Sequence, residues 1–305
     1  MSQPKDDIAS LVSSVKRGDR KSLARAITLV ENDLPGSEEI LKLLEPAEVP
    51  VIGFTGPPGA GKSTIINTCL RQFTAMKKKV AVIAVDPTSP FNYGSLLADR
   101  IRMAEHFNNE NIFIRSIATR GSLGGLCEKI IEITDLLKSA GFDFVLIETV
   151  GVGQSEVEIA GLADTTVVVV VPESGDEVQA LKSGIMEIAD IFVVNKSDRE
   201  GAATLANNLK KMLAQKTSTG WQVPVIATVA STGEGIVELI EKISIHEKSD
   251  SYNEKKIFLL TEKAYKLAVN YRAKDLNRES IRQRLEKEYR SKTFNLFRFI
   301  DDIKK

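Results

Sequence analysis

Cysteine and histidine are nearly missing from this chain. Cys69, Cys127, His106 and His246 are the whole complement in 305 residues. They stand far apart and at no metal-ligand spacing, so neither a disulfide scaffold nor a Cys/His zinc site is expected. Net charge is missing too, because 41 basic residues balance 41 acidic ones. That balance argues against a nucleic-acid groove and against a polybasic membrane-binding face. Long apolar runs are also absent. The valines at residues 167–171 fall far short of the ~20 residues that a membrane-spanning helix needs. The opening stretch, MSQPKDDIASLVSSVKRGDRK, is polar and lacks the apolar core of a signal peptide. The expected location is cytoplasmic, or the matrix of an organelle after processing.

What remains is an ordinary globular composition, 43% hydrophobic and 27% charged, enough for one large domain with appendages. Residues 5–44 read as helices, with Leu11, Val15, Leu23, Ala26, Ile27 and Val30 at helical spacing and breaks at Gly18 and at Pro35-Gly36. Strands are predicted at 51–54, 80–85, 112–115, 144–147, 166–171, 191–194 and 225–228. Helical patterns lie between them, for example at 63–74, 95–107 and 126–139. This alternation predicts an α/β fold, a doubly wound, mostly parallel sheet, and the glycine-rich GPPGAGKST at 56–64 makes it one of the phosphate-loop NTPase type. Beyond residue 254 the pattern is helical and highly charged. The domain reading is therefore a helical segment at 1–48, a nucleotide-binding domain at 49–248 and a helical arm at 249–305.

Two loops carry the nucleotide chemistry. GPPGAGKST, residues 56–64, follows an apolar strand and opens a helix, and Gly56, Gly61, Lys62 and Ser63 satisfy G-x-x-x-x-G-K-[ST]. Gly59 and Gly61 let backbone N–H groups turn inward around phosphate oxygens, and the helix N-terminus adds partial positive charge. Lys62 is expected on the β- and γ-phosphates and the Ser63 hydroxyl on Mg²⁺, with Pro57, Pro58, Ala60 and Thr64 completing the loop. Pro57 and Pro58 stand where partition-type ATPases carry an additional lysine. The second loop is NKSD, residues 195–198. The Asp198 carboxylate can accept from the N1–H and exocyclic amine of guanine, a donor pair that adenine lacks. Each such charged hydrogen bond is worth roughly 1.5–3 kcal/mol, so the pair selects GTP or GDP over adenine nucleotides. Asn195 is expected to tie this loop to the phosphate loop, and the Lys196 stem to cover the base. Val229, Ala230 and Ser231 follow the last strand and are candidates for backbone contacts to the guanine carbonyl.

A third stretch, ETVGVGQSE at 148–156, ends a buried strand on a carboxylate. A buried carboxylate calls for a cation, a water or a ligand partner. In most GTPases D-x-x-G stands here, with its Asp near Mg²⁺ and its Gly N–H on the γ-phosphate. The matching positions are Glu148 and Gly151. Asp86 ends another strand and Asp99 lies in the segment after it. Mg²⁺ uses few carboxylates alongside phosphates and water, and Ser63, Asp86, Asp99 and Glu148 can build that shell. Whether Glu148 orients a metal-bound water or the attacking water stays open at this level.

These residues, with DPTSP at 86–90, ATRGSLGGL at 118–126 and GDEVQALKSGIMEIADIFVVNKSD at 175–198, resemble the MeaB/ArgK family. Its members are GTPase chaperones of adenosylcobalamin-dependent methylmalonyl-CoA mutase, within the metallochaperone GTPase group. The resemblance extends over about residues 5–300. It implies a Mg²⁺-dependent GTPase, slow alone and faster with the mutase, which gates cofactor loading and protects the mutase. It implies a homodimer held partly by C-terminal helices, with an acyl-CoA mutase and a cobalamin adenosyltransferase as candidate partners. It places Gln154 on the second switch and Lys182 on a mutase-responsive third switch at 175–187. The catalytic set it implies is Lys62, Glu148, Gln154 and Lys182. Asn92-Tyr93 and Ala98 depart from the usual small residues and glycine of the first switch. The competing readings are a metal-inserting GTPase of the same superfamily, which usually displays Cys/His clusters, and a small-molecule kinase or transport ATPase, against which Asn195 and Asp198 argue.

Overall fold

A computed structural model describes residues 4–45, 47–86, 103–119, 126–151, 158–174, 185–215, 220–273, 278–288 and 299. Seven parallel strands form its centre: β1 (Val51–Thr55), β2 (Val80–Asp86), β3 (Ile112–Ala118), β4 (Phe144–Glu148), β5 (Thr165–Val170), β6 (Ile191–Asn195) and β7 (Val225–Thr228). Their order across the sheet is β3-β2-β4-β1-β5-β6-β7. All residues of β1, β2, β5 and β6 are buried, because helices cover both faces and leave no room for polar alternation.

Helix α1 (Pro4–Lys16), α2 (Arg20–Glu31) and α3 (Ser37–Lys42) pack on one another. Gly18 and Gly36, both at positive φ, break them where the sequence predicts. The Arg20 guanidinium donates 2.6 Å hydrogen bonds to the carbonyls of Asn109 and Ile112, and Arg115 of β3 meets Glu31 at 2.9 Å. These bonds hold the N-terminal helices against β3, an edge strand of the kind that otherwise exposes an unpaired ladder.

On one face of the sheet, Phe54, Val82, Leu146, Val169 and Val193 pack with α4 (Lys62–Ala75) and with α8 (Ile236–His246). On the other, Val168, Val170, Phe192 and Val194 pack with α6 (Ile185–Ile188) and α7 (Ala202–Ala214). Helix α5 (Ile130–Lys138) packs on β4 and α2. It begins later than the 126–139 pattern suggests. Leu126 and Cys127 are buried without being helical, so burial rather than periodicity accounts for them. Of the expected 95–107 helix, the described end is a 3-10 turn at Ala104–His106.

The chain divides into two compact units, 1–259 and 260–305. Helix α9 (Asp250–Arg272) and α10 (Arg278–Glu288) follow the sheet domain in sequence. In the second unit the Arg284 guanidinium lies 5.5 Å from the Phe299 ring centroid. Among the described residues no helix is long and apolar enough to cross a membrane.

Candidate active site

Side chains alternate across a strand, so residues two apart share a face. Glu148 is two residues beyond Leu146, Asp86 four beyond Val82 and Asn195 two beyond Val193, which places all three on the face covered by α4. The register sets them at successive heights: Asp86 stands two residues beyond the level of Glu148, and Asn195, through Val167 and Ile191, stands four beyond it. Glu148 is paired with Phe54 of β1 on one side and with Ala84 of β2 on the other. All three sit at carboxyl ends of strands, where open α/β sheets bind their ligands.

The phosphate loop leaves β1 at Gly56 and enters α4 at Lys62. Gly56 has φ +133°, and a Cβ there would lie 2.0 Å from the Val169 carbonyl oxygen. Only glycine lets the loop cross β5 so closely. Gly61, at φ +91°, sits against Asn195, where a Cβ would meet Nδ2 at 2.3 Å. The Lys62 ammonium donates to the carbonyls of Gly56 at 2.8 Å and Pro57 at 3.1 Å. Ser63 Oγ donates to Glu148 Oε1 at 2.6 Å, and both residues are 5% exposed. Asp86 is 1% exposed. Gly151, at φ +82°, lies under the loop, where a Cβ would be 2.4 Å from Gly56 O and 2.5 Å from Lys62 Nζ.

Among the described residues no three His, Cys, Asp or Glu side chains converge as a metal cage. A hydroxyl with one or two buried carboxylates is a donor set of hard oxygens, incomplete without phosphate and water. That chemistry fits Mg²⁺, not a softer ion.

Asn195 connects the two loops. Its Nδ2 donates to the Ala60 carbonyl at 2.8 Å, and its Oδ1 accepts from Thr228 Oγ1 at 3.1 Å and from the Ala230 N–H at 3.2 Å. It is 3% exposed, so the phosphate loop, β6 and the loop after β7 share one buried amide. Lys196 follows at φ +57°, unusual for a residue with a Cβ. Its turn is held by Ser197 N–H to Thr228 O at 3.0 Å and Arg199 N–H to Lys196 O at 3.0 Å. Asp198 and Ser231 are exposed, whereas Val229 and Ala230 are buried. Two further residues buttress the site without any mark in the sequence. Thr68 Oγ1 of α4 donates to Ala230 O at 2.8 Å, and Thr149 Oγ1 donates to Thr55 Oγ1 at 3.0 Å.

The structure therefore brings together residues 56–64, Asp86, Glu148, Gly151, Asn195, Lys196, Asp198 and residues 229–231 at one end of the sheet. Asp99, Gln154 and Lys182, like Asn92, Tyr93 and Ala98, lie outside the described residues.

The chain is similar to known proteins over most of its length. Residues 23–287 match the family model described as methylmalonyl Co-A mutase-associated GTPase MeaB. A putative GTPase of Pyrococcus horikoshii is 50% identical over 254 residues, covering 81% of this chain and 78% of that protein. GTPase ArgK of Escherichia coli is 38% identical, covering 76% of this chain and 74% of that one. The mouse mitochondrial methylmalonic aciduria type A homolog is 38% identical, covering 75% of this chain and 60% of its own length. The crystal structure of a protein described as an LAO/AO transport system kinase superposes with a TM-score of 0.70 at 25% identity, covering 99% of this chain and 98% of the other.

Proposed function

The chain belongs to the MeaB family of methylmalonyl-CoA mutase-associated GTPases, and from that premise we propose that it is a Mg²⁺-dependent GTPase chaperone of an adenosylcobalamin-dependent acyl-CoA mutase. Its GTPase activity follows from the family. The chaperone role rests on the family description and on the mouse relative named for methylmalonic aciduria.

The observation that carries the nucleotide reading is the Asn195 bridge, which couples the phosphate loop to the NKSD loop through one buried amide. With GTP in place, the loop's N–H groups and the α4 N-terminus hold phosphate oxygens. The Lys62 ammonium, now on the Gly56 and Pro57 carbonyls, exchanges those acceptors for phosphate. Mg²⁺, when bound, neutralises charge building on the β- and γ-phosphates. Ser63 would hold it through its hydroxyl, and Asp86 and Glu148 would orient the waters around it. Gly151 N–H faces the γ-phosphate. Asp198 reads the guanine edge, Lys196 covers its face, and backbone at 229–231 meets its carbonyl. Asp99 joins the metal environment, Gln154 the second switch and Lys182 the partner-responsive segment, by their match to the family motifs.

The same reading assigns a homodimer, with the helical arm as its interface, and a cobalamin adenosyltransferase as a second partner. The arm's exposed apolar side chains support the dimer: Leu260, Tyr265, Val269 and Tyr271 are 54%, 70%, 45% and 73% exposed on one helix.

Phosphate release from GTP and ATP, with and without a purified adenosylcobalamin-dependent methylmalonyl-CoA mutase, tests the proposal. GTP should be hydrolysed in preference to ATP. The mutase should accelerate hydrolysis about tenfold or more, some 1.4 kcal/mol of barrier. Lys182→Ala should reduce that stimulation tenfold while GTP affinity holds. A GTPase indifferent to the mutase would retain its family membership and lose the chaperone role.

A further inference from the structure

The base-reading loop has a support that the nucleotide chemistry leaves unused. Strands β5 and β6 run parallel with Val170 beside Val194, so the residues following β5 emerge next to those following β6. After β5 comes the 3-10 turn Pro172–Ser174, and after β6 comes the turn that holds Lys196 and Asp198. Glu173 Oε1 accepts a hydrogen bond from Arg199 Nη1 across this gap. Arg199 is the residue immediately after Asp198, and its own N–H closes the turn on the Lys196 carbonyl at 3.0 Å. Its carbonyl accepts from Ala202 N–H at 3.3 Å, which ties the turn to the start of α7. Pro172 stands nearby, its Cβ 3.8 Å from where a Cβ on Gly201 would be. The Arg199 hydrogen bond is the foremost influence holding the Glu173 carboxyl below its ordinary range, and Lys196 adds a smaller attraction.

We propose that Glu173 and Arg199 are a positioning pair that fixes the 195–199 turn, and so the guanine-reading Asp198, against the end of β5. The inference rests on the reading of this site as a guanine-nucleotide site. Neither side chain touches the base. Glu173 acts by holding the guanidinium next to Asp198, which otherwise has the exposed end of its loop to move in. The pair also joins two functions in sequence order, because Glu173 stands two residues before Gly175, where the proposed partner-responsive segment begins. Both side chains are about half exposed, at 52% and 48%, so the pair adds little to global stability. Its effect is local, on how long the base stays bound.

Release of a fluorescent GDP analogue, chased with excess GDP, reads this directly. Glu173→Gln and Arg199→Gln should each speed release about two- to fivefold, the factor that a half-exposed ion pair provides. Their thermal midpoints should remain at the wild-type value. The double variant should release no faster than either single one, since each removes the same interaction. The charge-exchanged protein, Glu173→Arg with Arg199→Glu, should recover slow release, which a role confined to packing would not predict. Wild-type release rates in both single variants, or additive effects in the double variant, would overturn the pair. Failure of the wild-type protein to bind the analogue at all would instead overturn the guanine reading, and the pair would fall with it.

Discussion

Glu148 and Asp198 show how differently two carboxylates of one site are held. Glu148 is buried and receives the Ser63 hydroxyl at 2.6 Å, so it stands beside the side chain that ligates Mg²⁺ in this reading. That proximity favours the metal role over orientation of the attacking water. Glu148→Gln should therefore raise the Mg²⁺ concentration needed for GTP binding, measured by titration at fixed nucleotide. Unchanged Mg²⁺ dependence with turnover down about 10²–10⁴-fold would reassign it as the water-orienting base. Asp198 is exposed and held by its turn. Asp198→Asn should weaken GTP binding by roughly 2–4 kcal/mol in calorimetry, because two charge-assisted bonds to guanine are lost. It should improve binding of xanthosine nucleotides, whose 2-oxo group accepts from the new amide. Gly151 has no tolerance for a side chain. With φ +82° and two atoms of the phosphate loop within 2.5 Å of a Cβ, Gly151→Ala should cost about 1–3 kcal/mol in backbone strain and impair nucleotide binding.

At the scale of elements, the two ends of the sheet do different work. The carboxyl ends carry the proposed nucleotide site. The amino ends carry a buried polar cluster beside the C-terminus of α8. There His246 Nδ1 is 2.8 Å from Thr165 Oγ1, its ring packs edge-on to Trp221 at 4.8 Å, and Asp164 Oδ2 accepts the Val51 N–H at 2.9 Å. Glu247, next along, has its carboxyl pushed up to about 7, by burial first and by Asp164 second, with Lys248 opposing. Its folded value exceeds its unfolded value of 4.5, so the folded state holds the proton more tightly. The associated stability is fully present below pH 4.5 and is lost as pH rises through 7. The side chain is part-exposed, so solvent limits the effect to about 1 kcal/mol. Glu247→Gln should leave the thermal midpoint near wild type at pH 5 and raise it by a few degrees at pH 8, as ~1 kcal/mol does in a domain of this size. Equal shifts at both pH values would show that the carboxyl does not titrate in this window.

For the whole molecule, the exposed side chains of the helical arm bear on assembly. Leu260, Tyr265, Val269 and Tyr271 are at least 45% exposed along one stretch of helix, with Leu260 and Tyr271 on one side of it and Tyr265 and Val269 on the other. A second copy is the occupant that the proposed homodimer supplies, and twofold dimers bury the same patch twice. Light scattering should return the mass of two chains. Leu260→Asp with Tyr265→Asp should reduce it to one chain at micromolar concentration without loss of GTP binding. An unchanged mass in that variant would remove these two side chains from the interface.

Much of this protein is determined locally, and local features are legible in a sequence. Continuous apolar runs mark all seven strands to within a few residues, because a strand buried on both faces has no polar alternation to obscure it. The phosphate loop is legible because its conformation requires glycine at particular positions, as the 2.0 Å approach at Gly56 shows. Asn195 could be assigned its bridge because N-K-x-D is a pattern with a mechanism. Tertiary structure alone decided which distant residues meet. Ser63 and Glu148 are 85 positions apart, and Thr68 reaches Ala230 across 162. Glu173 and Arg199 belong to turns with no shared pattern. Those contacts depend on β1 lying between β4 and β5, and on parallel register setting the heights at which the strands end. Register and strand order arise from packing the whole sheet between its helices, and no short window of residues contains that information.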